Sequence, residues 1–65
     1  MRHFYFIENE TGEVFLVEAD NFLEAQIAAE GVADSIAANY GVRADLSYEY
    51  EVTDQEAEDS GLDEY

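Results

Sequence analysis

The sequence predicts a small α+β domain of order ββαβ, a three-stranded antiparallel sheet in the order 2-1-3 with one helix packed on one face, ending in an acidic C-terminal tail. Three patterns carry that expectation. The chain opens on an aromatic-rich apolar run, RHFYFIE. Its middle repeats apolar residues at helical spacing, and residues 42–52 alternate apolar and polar without a break.

The first strand is expected over residues 2–8. NETGE follows, with Gly12 suited to a positive φ in a short hairpin loop. A partner strand is expected over residues 13–19. Asn21 and Glu24 resemble a capping box with Asn in place of Ser or Thr, and Asp20 is an alternative cap. The helix is expected from Phe22 to about Asn39, with Phe22, Ala25, Ala29, Val32, Ala33, Ile36 and Tyr40 on one face. Gly31 weakens its middle and Gly41 stops it.

In the third strand, Val42, Ala44, Leu46, Tyr48, Tyr50 and Val52 should point one way. Arg43, Asp45, Ser47, Glu49 and Glu51 should point the other. This strand returns parallel to the second and pairs with the first, because the most apolar strand belongs in the centre. After Thr53 only Leu62 and Tyr65 are large apolar groups. Residues 1–53 therefore read as the domain and 54–65 as a flexible acidic tail, with room for one transient helical turn from Thr53.

The composition limits function. The chain has 65 residues, 17 Asp and Glu against two Arg, and a formal net charge of −15. Four Phe and five Tyr speak against a disordered acidic chain. A small domain stays soluble with a net charge of about 2–8 in magnitude, so −15 exceeds what solubility requires. Such charge repels nucleic acid and lipid head groups and attracts basic surfaces. There is no cysteine, no signal peptide pattern and no apolar run of membrane-spanning length. A cytoplasmic protein is expected, in the host cytoplasm if a phage encodes it.

Catalytic chemistry finds no foothold. His3 is the only histidine, and Ser35, Ser47 and Ser60 lack a base and an orienting group nearby. The carboxylates fall on exposed positions of every element, which is the pattern of a solvated surface. DQEAED and DSGLDE lack calcium-loop spacing, so no metal site is expected. No glycine-rich phosphate loop or lysine is present, so neither a cofactor nor direct nucleic-acid binding is expected.

The candidate partner-binding residues are Asp45, Glu49 and Glu51 on the third strand, Glu24, Glu30 and Asp34 on the helix, and Ile27 beside them. Carboxylates at i and i+2 on a strand lie about 6.5–7 Å apart. That is roughly twice the 3.4 Å axial spacing of phosphates along one DNA strand. Rows of this kind can occupy a basic groove that a protein uses for DNA or RNA. Small acidic inhibitors encoded by phages, among them anti-CRISPR, anti-restriction and uracil-DNA glycosylase inhibitors, are similar in size and charge.

A non-enzymatic inhibitor acting as a nucleic-acid mimic is the favoured expectation. The alternative is an oligomerising adaptor whose acidity serves solubility or salt adaptation. Leu23 is expected to pack near Val17 or Ala19 as a staple. The sheet face away from the helix must show either Phe4 and Phe6 or His3, Tyr5 and Ile7. Homodimerisation through that face competes with partner binding.

Overall fold

Glu8 organises the first turn. Its buried carboxylate accepts hydrogen bonds from the backbone N–H groups of Glu10 (2.7 Å) and Thr11 (3.3 Å). Gly12 takes φ +76°, where a side chain would be strained. In the computed structural model, which describes residues 1–65, this turn joins β1 (Arg2–Glu8) to β2 (Val14–Ala19). The strands pair antiparallel with Phe4 opposite Val17 and Phe6 opposite Phe15.

The helix α1 (Phe22–Tyr40) starts where expected and runs one residue further. The Asn21 side chain accepts from the Glu24 N–H at 2.9 Å. Gly41, at φ +73°, closes the other end by donating its N–H to the Ala37 carbonyl at 2.9 Å. Ala25 and Ala29, one turn apart, are small enough to bring the helix close to the sheet. They complete a core with Phe4, Phe6, Val17 and Ala19. Phe22 is tied to the sheet through Tyr48, whose ring centroid lies 4.8 Å away at 75°.

Two expectations about α1 are corrected. Leu23 is 66% exposed and does not act as a staple. Tyr40, placed by periodicity on the core face, is 78% exposed. Nineteen residues at about 1.5 Å each make a helix about 28 Å long. A seven-residue strand spans about 23 Å. The last turn of α1 therefore overhangs the sheet.

The third strand, β3, covers Leu46–Val52 rather than 42–52. The segment before it is held as a loop. The Asp45 N–H donates to the Glu8 carboxylate, and the Asp45 carbonyl accepts from the Asn9 N–H at 2.9 Å. The strand pairs antiparallel with β1, in the expected sheet order β2-β1-β3. Tyr50 faces Tyr5 and Tyr48 faces Phe6, which leaves Glu49 as the extra residue of a β-bulge. The bulge breaks the expected alternation. Tyr48 lies on the α1 face with Phe6, whereas Tyr50 and Val52 lie on the opposite face with Tyr5 and His3.

Residues 54–65 depart furthest from expectation. In place of a structureless tail, Asp54–Asp59 form a second helix, α2. The Thr53 hydroxyl accepts from the Glu56 N–H at 3.2 Å to cap it. Ala57 is buried against Leu16 and Val52 in a second apolar cluster. The chain end then reaches the outer edge of β2. Tyr65 donates its N–H to the Leu16 carbonyl (2.9 Å) and accepts from the Glu18 N–H (3.0 Å). Unpaired strand-edge groups and an otherwise exposed Leu16 favour this docking. No helix is long and apolar enough to cross a membrane.

Candidate functional site

Sixteen of the 17 carboxylates are exposed; Glu8 is the exception. Its bonds from the backbone N–H groups, that of Glu10 foremost and Asp45 next, hold its pKa below the ordinary value. Glu8 thus serves the fold. The remaining acids lie on the solvent-exposed surface.

The structure divides the candidate residues between two faces of the sheet. Glu51 pairs with Phe4 on the α1 face, where Arg2 binds both its oxygens at 2.7 and 2.9 Å. The hydrogen bond from Arg2 lowers the Glu51 pKa. Asp45 and Glu30 line a groove on the same face with Arg43, and Arg43 bonds the carboxylate of Asp34. Glu24 sits in the first turn of α1, and Ile27 is 62% exposed on that helix. Glu49, projecting from the bulge, lines a groove on the α2 face with Tyr5 and Tyr50. Asp45, Glu49 and Glu51 therefore do not form the single row that unbroken alternation implies.

Both arginines belong to the α1 face. Arg2 lies over the Phe4 ring, 5.2 Å from its centroid, and Arg43 spans from the loop before β3 to α1. The α2 face carries Glu18, Glu49 and the six carboxylates from Asp54 onward, with no arginine among them. It does carry His3. The imidazole Nε2 lies 2.6 Å from Asp54 Oδ1, and Nδ1 meets the Glu64 carboxylate. Carboxylates only accept, so both ring nitrogens must donate and the ring is an imidazolium. Glu64 first, and Asp54 after it, raise the His3 pKa against the opposing effect of burial.

Glu18, Glu64 and His3 each present one ligand atom within 4.8 Å of the others. In the structure the His3 ring and Glu64 are already engaged with each other, while Glu18 makes no ion pair. The expectation for the open sheet face is met in part. His3, Tyr5 and Ile7 do lie opposite α1. However, Ala57 of α2 covers Leu16 and Val52 on that face, while Val14 and Tyr50 stay exposed.

Sequence reasoning passed over Tyr5 and Tyr50 as a pair. Their ring centroids lie 5.3 Å apart in an edge-to-face arrangement of 83°. The only signal was an aromatic in each of two strands; the bulge that brings them together has no signature in the alternation. Comparison with family models, curated proteins and solved structures finds no match to this chain.

Proposed function

We propose that this chain is a non-enzymatic acidic binding protein that occupies the basic groove of a DNA- or RNA-handling protein in the cytoplasm. One observation carries the reading. A net charge of −15 is displayed over a body whose long axis is 34 Å, which is one net negative charge per about 2.3 Å. Duplex DNA carries one per about 1.7 Å of axis. A folded protein of this charge density presents a basic groove with a field close to that of its natural ligand. Ten of the 16 exposed carboxylates stand on helices or strands, so docking there orders little additional backbone.

The non-enzymatic part rests on His3. With both nitrogens engaged by carboxylates, the one histidine is not free to act as a general base. In size and charge the chain remains similar to phage-encoded inhibitors of restriction, CRISPR and base-excision enzymes. The rival reading, an oligomerising adaptor, draws on Tyr50, which is 49% exposed. Self-association must bring two chains of −15 together, which disfavours it at moderate ionic strength.

Affinity capture from cell lysate at low and high salt tests the proposal. Proteins retained at low salt should be nucleic-acid-binding proteins with basic clefts, released steeply as salt rises. Retention that is indifferent to salt would favour the adaptor.

A further inference from the structure

The proposed partner is basic, and the molecule offers it two unlike faces. On the α1 face each arginine already neutralises a carboxylate. On the opposite face α2 and the chain end cover Leu16 and Val52, with Tyr5 half-buried beside them, and leave a groove that also holds half-buried Ile7 and exposed Val14 and Tyr50. With Leu62 and Glu49 these residues line a groove of about 350 Å³. Glu49 has no cross-strand partner and joins none of the molecule's ion pairs.

We infer, resting on the reading above, that this groove seats an arginine side chain carried by a segment of the basic partner. The guanidinium lies against the Tyr50 ring and forks onto the Glu49 carboxylate, while its stem follows Ile7, Val14 and Leu62. Each half of the groove needs the other half's ligand. A purely apolar occupant would desolvate Glu49 without a counter-charge. A bare point charge would leave the apolar floor uncovered. Arginine combines an apolar stem with a planar cation that stacks on aromatic faces and binds carboxylates through two donors. Lysine supplies the charge without the plane. A second copy of this chain is a poor occupant, because it adds another −15 and its own arginines are engaged.

The test is an amide NMR titration of the full chain at physiological salt. The probes are a capped Gly-Gly-Arg-Gly-Gly peptide and its lysine and citrulline counterparts. The arginine peptide should shift the amides of Tyr5, Ile7, Glu49, Tyr50 and Leu62, with the lysine peptide at least fivefold weaker and the citrulline peptide silent. Tyr50→Ala and Glu49→Gln should each weaken the arginine peptide at least fivefold. Asp20→Asn, the same charge change at an exposed position outside the groove, should alter it less than twofold; spectral dispersion verifies that each variant is folded. Equal, diffuse shifts from arginine and lysine, equal loss from Glu49→Gln and Asp20→Asn, or no shifts at all would each overturn the inference. Diffuse shifts would leave the basic-groove reading standing. Groove-centred shifts combined with salt-indifferent partner capture would remove that reading and keep the arginine seat.

Discussion

His3 Nε2 and Asp54 Oδ1, 2.6 Å apart, join the centre of the sheet to the first residue of α2. The other ring nitrogen engages Glu64, so one imidazolium fastens both ends of the C-terminal segment. Glu18, opposite His3 on β2, and Glu58 and Asp63 border the same cavity. The local field thus favours the protonated ring from every side. Charge that would otherwise repel the segment from the sheet is what holds it there.

A pH dependence follows. The folded-state pKa of His3 is raised from 6.5. Its stabilisation is present in full below that pH and is lost as pH climbs through the raised value. Glu8 behaves oppositely. Its pKa is lowered from 4.5, so its contribution is present above 4.5 and is lost as pH falls through the lowered value. Thermal melts should give the highest Tm on the acid side of neutrality, between about pH 4.5 and 6.5. In His3→Gln the decline of Tm between pH 6.5 and 9 should shrink to less than half. An unchanged decline in that variant would show that the clamp does not contribute.

Removal of residues 54–65 should destabilise the domain. Leu16 is 1% exposed and Val52 5%, and both lose their cover. Re-exposing the equivalent of one such side chain costs about 2 kcal/mol, or a Tm fall of roughly 10 °C in a domain this small. The melt belongs at high salt, where the six deleted carboxylates no longer contribute repulsion. A Tm equal to that of the full chain would return the segment to the status of a flexible tail.

Core and surface apolar residues should respond very differently. Phe4→Ala, at a position 1% exposed between α1 and the sheet, should cost about 3–5 kcal/mol and leave the chain largely unfolded at room temperature. Leu23→Ala and Ile27→Ala, at 66% and 62% exposed positions, should each stay within about 0.5 kcal/mol. Chemical denaturation of the three variants checks the contrast.

The elements that were legible are those whose signals are local. Asn21 with Glu24 marks the start of α1, Gly41 its end, and RHFYFIE the central strand, because each depends on a few neighbouring residues. The bulge was not legible, since the misfit between Glu49 and β1 arises only when two distant strands pair. That one residue split the expected row of Asp45, Glu49 and Glu51 across two faces and placed Tyr50 against Tyr5. The C-terminal docking was partly legible. Thr53 and Glu56 have capping-box spacing, and the bond between their side chains is 3.2 Å. What draws the segment down, a free edge on β2 and a charged His3, is tertiary.

Self-repulsion should be measurable directly. Raising salt from roughly 10 mM to 500 mM shortens the Debye length from about 30 Å to below 8 Å. Tm should rise by roughly 5 °C or more, equivalent to about 1 kcal/mol in a domain this size. A flat or falling Tm would mean that the surface charges are too far apart to interact.

Nucleic acid and this chain should compete for one groove on the target. A protein captured from lysate would be titrated with this chain in the presence of a fluorescent duplex or single-stranded oligonucleotide, at several salt concentrations. Mutually exclusive binding is predicted, with the oligonucleotide displaced stoichiometrically and the affinity of this chain falling steeply with salt. A stable ternary complex of target, oligonucleotide and this chain, formed with little salt dependence, would contradict occupation of the nucleic-acid groove.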